Sequence, residues 1–308
     1  MSSQGMAGTP GPPAGGLPEG ARWAIADVHV HTMASDGTAG VLEILEHVER
    51  RADLQVLAVT DHERIDAAIA AREIARDRGL RVEIVVGEEI TTRGGHLLAL
   101  FIERRIRPLQ SLRTSIALVH EQGGLAIASH PLAPYPSCVS ERSVRRLHDD
   151  PDPIYHLDGL ETFNPTIPGR THHARAVALA AELGLAAVGG SDAHLLHAIR
   201  SGHTAFHGRT AADLRLAILQ ARTTSHGEFW SFGFQVEMFG NQLRKYSRDI
   251  RDQLVGGLTR SGTGRDLGYP GGRVRPERYD PAELERILAQ RAPGKPRSGA
   301  PGPRDAEP

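Results

Sequence analysis

Residues 23–31 have the sequence WAIADVHVH, an apolar run that ends in two histidines separated by one residue. The run Trp23–Val28 is short and apolar, which is typical of a buried β-strand. Because side chains alternate along an extended segment, His29 and His31 are expected to lie on one face. Neutral imidazole is a good ligand for Zn²⁺, Mn²⁺ and Fe²⁺, so this stretch predicts a metal site at the end of a first strand.

Six further apolar runs predict buried strands, and amphipathic segments between them predict helices. The predicted strands are Val56–Thr60, Val82–Val86, Leu97–Ile102, Leu125–Ser129, Leu160–Phe163 and Ala186–Gly189. The predicted helices are Val41–Val48, Ile65–Arg78, Leu109–Glu121, Ala174–Leu183 and Ala212–Leu219. Repeated strand–helix units predict a parallel sheet with right-handed crossovers. About seven units without a glycine-rich phosphate loop favour a barrel over an open sheet.

Composition narrows the class of protein. The 308-residue chain has a net charge of −1, which gives no case for a broad nucleic-acid-binding surface. Its one cysteine, Cys138, excludes an internal disulfide and fits a reducing compartment. No apolar run reaches the roughly 20 residues that cross a bilayer, and Met1–Gly20 lacks the features of a signal peptide. We therefore expect a cytoplasmic protein with no membrane association.

The composition also predicts a central body between two extensions. Residues 1–20 are rich in Gly, Pro, Ser and Ala, which predicts disorder. Residues 21–231 contain all the predicted strands. Residues 232–308 are expected to form a basic, largely disordered tail with a short helix near 281–290. From Asn241 to Pro308 there are fourteen Arg or Lys against nine Asp or Glu, a net charge of +5. Such a tail is more often a solvated extension, although RNA contact stays an alternative.

Histidines and carboxylates recur where the predicted strands end. The motifs are Ser35-Asp36-Gly37, Thr60-Asp61-His62, Gly87-Glu88, His96, Ser129-His130-Pro131 and Ser191-Asp192-Ala193-His194. Active sites of α/β barrels gather at the carboxyl ends of the strands, so residues far apart in the sequence are expected to converge. His96 precedes its strand. The turn at 92–95 is compatible with a local hairpin in which this strand runs antiparallel to the third.

In this order, the motifs closely resemble the PHP (polymerase and histidinol phosphatase) family of metal-dependent phosphoesterases. The resemblance covers about residues 23–225. It implies a distorted (β/α)7 barrel with flexible N- and C-terminal extensions, so that residues 21–231 form a PHP-type catalytic barrel. It also implies a cofactor of two or three divalent metal ions, Mn²⁺, Zn²⁺ or Fe²⁺. The nearest branch is that of the nucleoside-phosphate phosphatases and the RNase AM-type exoribonuclease.

The resemblance divides the ligands among three metal sites. The first comprises His29, His31, Glu88 and Asp192; Glu88 bridges to a second with His96 and His130; the third comprises Asp36, His62 and His194. Asp192, His194 and Glu88 are the expected catalytic residues. An arginine fork matches phosphate geometry, so Arg170 and Arg200 are candidate substrate-binding residues, with a solvated surface role as the alternative.

Three further carboxylates have supporting roles in this prediction. Asp61 either orients a ligand or caps the following helix, and Asp27 is a candidate for holding a ligand in place. Glu161 is expected to be structural or to support a ligand, and not to bind metal itself.

These residues predict hydrolysis of a phosphate ester in a nucleotide or another small phosphorylated metabolite, by a metal-activated hydroxide. One alternative is a 5′–3′ exonuclease acting on short RNA or DNA, which the low aromatic content disfavours slightly. Another is a non-catalytic, metal-stabilised module that works through its tail. The leaving-group acid is left open among a water, His172 and His203. Relatives carry a long insertion between the positions of His96 and His130, where this chain has 33 residues. The substrate and the oligomeric state are therefore left open.

Overall fold

A computed structural model describes residues 22–51, 53–231, 233–234 and 240. The predicted disordered segment 1–20 lies outside the described residues. So does the predicted tail 232–308, apart from Gly233, Phe234 and Gly240, and with it the predicted helix near 281–290.

The described chain forms a mixed α/β structure around one nine-stranded sheet. The strands are β1 (Trp23–Val30), β2 (Val56–Val59), β3 (Glu83–Thr92), β4 (Gly95–Leu100), β5 (Leu125–Ala128), β6 (Gly159–Phe163), β7 (Ala186–Gly189), β8 (Gly202–His207) and β9 (Thr224–Gly227). The helices are α1 (Val41–Glu49), α2 (Asp66–Asp77), α3 (Leu112–His120), α4 (Glu141–His148), α5 (Ile167–Leu183) and α6 (Ala211–Leu219). Over the described residues, none of the helices is long and apolar enough to cross a membrane.

The predicted barrel is confirmed, because the sheet curls until its two ends nearly meet. The strand order is β7-β6-β5-β4-β3-β2-β1-β8-β9. Side chains join the ends: Thr204 Oγ1 on β8 accepts from the Gly189 backbone N–H of β7 at 2.8 Å. Thr162 Oγ1 on β6 likewise donates to Ser225 Oγ on β9 at 2.7 Å. The first bond satisfies a backbone N–H group at the seam that a continuous ladder would otherwise pair.

All seven predicted strands are present, and so is the hairpin. β3 and β4 are antiparallel, with Glu88 opposite Ala99 and Thr91 opposite His96. β4 also pairs antiparallel with β5, so the barrel is distorted at this point. The prediction missed β8, β9 and α4. Helix α4 buries only Val144 and Leu147, which is too few apolar positions for a periodic signal.

Hydrophobic packing is arranged in three layers. The barrel interior is filled by side chains from nearly every strand, including Val28, Val85, Leu98 and Phe206, and α6 packs against this layer. One outer layer lies between β1–β3 and the helices α1 and α2. The other lies between β4–β7 and the helices α3, α4 and α5. Because strand residues alternate between the interior and the helices, the direction of each side chain is set by its position in the strand.

One irregularity in β1 turns its histidines inward. The register with β2 shifts between Asp27 and Val30, where three steps along β1 match two along β2. Such a bulge changes which alternate residues face the interior. Ala24, Ala26 and Val28 belong to the interior layer, whereas Val30 belongs to the outer one. His29 and His31 are thereby both directed into the opening at the carboxyl end.

Candidate metal centre

Six histidines meet at the carboxyl end of the barrel. They are His29 and His31 at the end of β1, His62 after β2, His96 in β4, His130 after β5 and His194 after β7. Their ring centroids lie close together, for example 4.3 Å between His31 and His194 and 4.8 Å between His31 and His62. The Nε2 atoms of His29 and His31 are 3.0 Å apart. Such convergence of ring nitrogens in a buried position is typical of ligands arranged around a metal.

Glu89 lies at the centre of these rings. Its carboxylate oxygens contact five of the six histidines, at 3.2 Å from His29 Nε2, 3.4 Å from His31 Nε2, 3.4 Å from His62 Nδ1, 2.9 Å from His96 Nδ1 and 3.2 Å from His130 Nε2. Ser129 Oγ donates to the same carboxylate at 2.9 Å. If metals bind among these rings, this carboxylate is within reach as one of their ligands.

The prediction that Glu88 is the carboxylate of the cluster is corrected by this geometry, because Glu89 and not Glu88 lies among the histidines. Strand β3 continues to Thr92, so Glu88 lies within it and points to the side opposite Glu89. Glu88 Oε2 accepts from the Ile106 backbone N–H at 2.8 Å, away from the histidines. Val85 lies on the interior face. Alternation continued from Val85 to the end of the strand would have selected Glu89 from the sequence.

Two aspartates complete the cluster. Asp192 Oδ1 lies 3.3 Å from His31 Nε2 and 3.4 Å from His29 Nε2. Asp36 Oδ2 lies 3.0 Å from His194 Nε2 and 3.8 Å from His62 Nε2. Asp192 has a backbone φ of 51°. This left-handed conformation is uncommon for a residue other than glycine and recurs at functional sites.

The donors form three overlapping groups that fit divalent metals. They are His31, Asp36, His62 and His194; His29, His31, Glu89 and Asp192; and His62, Glu89 and His96. Within each group, one ligand atom from every residue lies within 4.8 Å of all the others. Imidazole and carboxylate donors are permissive for Mn²⁺, Zn²⁺ and Fe²⁺. Apart from Glu88, every predicted ligand lies in this region, and its assignment to an individual metal stays a prediction.

Glu161 and Asn164 hold residues of the cluster in place through hydrogen bonds. Glu161 Oε1 accepts from His29 Nδ1 at 2.9 Å, and Glu161 Oε2 accepts from the His130 backbone N–H at 2.7 Å. Asn164 Nδ2 donates to Glu161 at 3.1 Å and to Asp192 at 3.4 Å. Carboxylates that hold the second nitrogen of a ligand histidine fix its tautomer and orientation. Glu161 matches its predicted supporting position, whereas Asn164 was missed because an isolated asparagine has no distinctive spacing.

Asp27 and Asp61 fasten the backbone around the site. Asp61 accepts from the Thr32 N–H at 2.8 Å and the Thr32 hydroxyl at 2.7 Å, which fixes the loop leading to Asp36. It does not cap the following helix, whose N-cap is Ile65. Asp27 accepts from the Ser191 N–H at 3.0 Å, joining β1 to the segment before Asp192. Burial raises the pKa of Asp27 to about 6, although the hydrogen bonds that Asp27 itself accepts favour its charged form.

The backbone at Gly190 lies so close to His29 that it leaves no room for a side chain. A Cβ atom at this position would lie 2.5 Å from His29 Cβ and 2.5 Å from Glu161 Oε1. Either contact is far inside van der Waals distance, so a side chain here would displace His29 or its supporting carboxylate.

The two candidate phosphate-binding arginines differ in their surroundings. The Arg200 guanidinium forms an ion pair with Asp53, 2.7 Å from Nε to Oδ2. Arg170 lies exposed in the first turn of α5, with its guanidinium carbon 5.6 Å from the Phe229 ring centroid. Arg170 lies at the carboxyl end of the barrel, where α5 closely follows β6, and a substrate-binding role for either arginine stays a prediction.

Buried carboxylates dominate the electrostatics of the cluster. Burial opposes the charged form of His31, but Asp192, Glu89 and Asp36 outweigh this and raise its pKa to about 10. Burial likewise opposes the charged form of His29, but Asp192, Glu161 and Glu89 outweigh this effect and raise the pKa of His29 well above its usual range. Burial opposes the charged form of Glu89 too, yet His29 and His62 lower its pKa well below the usual range. Without a metal, protons on the imidazoles therefore balance the carboxylate charge.

Comparison with known proteins places the chain in a family. The family model described as PHP-associated matches residues 170–223. The uncharacterized protein MJ1587 of Methanocaldococcus jannaschii is 34% identical over 149 residues, which span 45% of this chain and 81% of the relative. The chain belongs to the family of this archaeal protein. The residues that the PHP-associated model matches include α6, β7, β8 and most of α5.

Solved structures share the fold. A two-domain protein from Bacteroides vulgatus ATCC 8482, which contains a predicted PHP-like metal-dependent phosphoesterase, aligns with a TM-score of 0.56 and 19% identity. The alignment covers 68% of this chain and 66% of that one. PsfC from Pseudomonas syringae PB-5123 aligns with a TM-score of 0.53 and 19% identity, over 73% of this chain and 98% of PsfC. At these identities the likeness establishes the barrel fold alone.

The neighbouring glutamates provide a matched pair of variants. We expect Glu89→Gln to weaken metal binding by about 100-fold or more, because it removes the charge shared by the overlapping ligand groups. Glu88→Gln should leave metal binding unchanged, since burial raises the pKa of Glu88 to about 7 and its carboxylate faces away from the histidines. Metal content after dialysis against limiting Mn²⁺ measures both. Equal losses in the two variants would contradict the placement of Glu89.

Metal binding is expected to release protons and to strengthen as pH rises from about 6 to 8.5. The pKa of His31 is raised to about 10, so in the metal-free protein its imidazole is protonated across this range. A metal must displace that proton, and lower pH therefore weakens binding. Calorimetric titrations with Mn²⁺ in two buffers of different ionisation enthalpy measure the release. A buffer-independent heat together with a pH-independent affinity would show that the imidazoles are already neutral.

Proposed function

We propose that this protein is a metal-dependent phosphoesterase that hydrolyses the phosphate ester of a nucleotide or another small phosphorylated metabolite. The observation that carries the proposal is the convergence of five imidazoles, Glu89, Asp36 and Asp192 into three overlapping ligand groups. Adjacent metal sites of this kind suit phosphoryl transfer. Cations bound side by side can stabilise both the attacking and the leaving oxygen on one phosphorus atom. The PHP-associated match and the PHP-like solved structure support this class.

The metals, when bound, lower the pKa of water toward about 7 and neutralise negative charge on phosphoryl oxygens. The chain supplies the geometry. Glu89, shared between ligand groups, sets their spacing, and Ser129 fixes its carboxylate by a hydrogen bond of 2.9 Å. Glu161 holds His29 through Nδ1 and His130 through its backbone N–H. A preorganised set of ligands of this kind needs little rearrangement as charge develops during the reaction.

The candidate His203 is poorly suited to deliver a proton to the leaving group. Burial lowers the pKa of His203 to about 4, with Arg200 and His226 adding to the effect. At neutral pH this ring therefore carries no imidazolium proton to donate. We propose instead that His172, in the first part of α5, or a water delivers the proton.

Apolar side chains beside the opening favour an organic substrate over inorganic phosphate compounds. Met33 after β1, Tyr135 after β5 and Ile167 after β6 are each about half exposed, at 52%, 51% and 46%. Loops at the carboxyl ends of barrel strands usually determine the substrate. Tyr135 offers a flat surface on which a nucleobase could stack. Together with Arg170 as a phosphate contact, this composition supports a nucleotide and the nucleoside-phosphate branch.

A panel of four phosphate esters tests the proposal. The metal-loaded protein should release inorganic phosphate from at least one of a nucleoside monophosphate, a nucleoside 3′,5′-bisphosphate and a sugar phosphate. Chelation should abolish the release, and the His29→Ala/Asp192→Ala double variant should lower kcat/KM by about 100-fold or more. The control variant Glu88→Gln should retain activity.

The fourth substrate, a 5′-phosphorylated oligoribonucleotide, separates a phosphatase from an exonuclease. Release of mononucleotides from it, without turnover of the small esters, would replace the proposal by the exonuclease alternative. If protein with verified metal content turned over none of the four, the hydrolase assignment would fail and a metal-stabilised binding module would be favoured.

A further inference from the structure

The single cysteine of the chain lies directly behind one of the proposed metal ligands. Cys138 Sγ is 3.5 Å from His130 Nδ1, and the other ring nitrogen, Nε2, faces Glu89 at 3.2 Å. Cys138 is 7% exposed and is not part of a disulfide. The histidine thus lies between the central carboxylate and the thiol, although the two residues are eight positions apart in the chain.

Two other histidines of the cluster, His29 and His194, are held through Nδ1 by oxygen acceptors. Glu161 Oε1 contacts His29 Nδ1 at 2.9 Å, and the backbone carbonyl of Asp192 contacts His194 Nδ1 at 2.8 Å. At His130, the sulfur of Cys138 occupies the corresponding position. A metal-binding histidine almost always uses its second nitrogen in this way, because the contact fixes the tautomer and the ring plane.

The loop that carries Cys138 is itself fixed against the site. Residues 130–139 fold back on themselves, with Leu132 N–H bonded to the Val139 carbonyl at 2.9 Å and Cys138 N–H bonded to the Tyr135 carbonyl at 2.9 Å. A Cβ at Gly95 would lie 2.5 Å from the Val139 nitrogen. Only glycine therefore allows β4 to approach this loop so closely, next to the ligand His96.

We propose that Cys138 is a positioning residue for the metal centre. Its sulfur accepts the Nδ1 proton of His130 and so presents Nε2 to the ion held with Glu89 and His96. His130 has a backbone φ of 27°, a sparsely populated conformation that the surrounding contacts must maintain. This inference rests on the proposed function, since it assigns a role at the same metal centre. It concerns metal binding, which can be measured without any substrate.

Four variants separate positioning from ordinary packing, with Mn²⁺ titrated into chelator-treated protein. Mn²⁺ is the probe because it prefers nitrogen and oxygen ligands to thiols. Cys138→Ala should weaken the binding step that His130→Ala also weakens, by about 10-fold. Cys138→Ser, which keeps an acceptor, should recover most of that affinity. Val139→Ala, which shortens the apolar side chain of a buried neighbour, should lower Tm and leave the affinity for Mn²⁺ unchanged.

A double-mutant cycle gives the sharpest outcome. If Cys138 acts through His130, the variant carrying both alanines should bind Mn²⁺ like His130→Ala alone. Additive losses would overturn the proposal, and so would unaltered affinity in Cys138→Ala or equal losses in the Ser and Ala variants. If the wild-type protein bound no Mn²⁺, Zn²⁺ or Fe²⁺, the proposed function would fail with it. Tight metal binding without phosphatase activity would leave the role of Cys138 intact.

Discussion

Compensation of charge around Glu89 is the constraint on which the centre depends. One buried carboxylate contacts nitrogen atoms of five histidines at 2.9–3.4 Å. A buried carboxylate without cations would be costly, and six buried or half-buried imidazoles without anions would be equally so. Protons or metals must therefore balance the cluster, and the raised pKa of His31 and the lowered pKa of Glu89 express that requirement. A divalent ion can replace those protons at the same positions.

The barrel serves this constraint by aiming side chains from distant parts of the chain at one point. The bulge in β1 turns His29 and His31 inward, and the antiparallel β4 brings His96 to the end of the barrel where the other ligands follow their strands. Supporting contacts from Glu161, Asn164 and Cys138 then hold individual rings and carboxylates. The fold therefore sets the positions of the cluster residues, through the bulge in β1 and the antiparallel direction of β4.

The parts of the structure that produce a periodic pattern of apolar residues could be predicted from the sequence. Apolar runs identified seven strands, and their ends located the histidines, since strand alternation and barrel topology are local or general rules. Contacts between residues that are distant in the sequence could not be predicted from periodicity in the same way. Glu88 was preferred to Glu89 because the strand was ended at Val86, six residues before its end at Thr92. Asn164 and Cys138 have no spacing signal: the position of Asn164 depends on the pairing of β6 with its neighbours, and that of Cys138 on the folding back of the loop 130–139.

We propose that Glu89 is the carboxylate shared between neighbouring metals. Anomalous X-ray diffraction from crystals grown with Mn²⁺ and Zn²⁺ tests it most directly, because the peaks locate ions independently of activity. We expect at least two peaks, each marking a metal ion at ligand distance from the histidine nitrogens. Oxygen atoms of Glu89 should contact more than one of these ions, and Glu88 should contact none. Peaks that leave Glu89 unbound, or fully metal-loaded crystals with no peak among the six histidines, would contradict it.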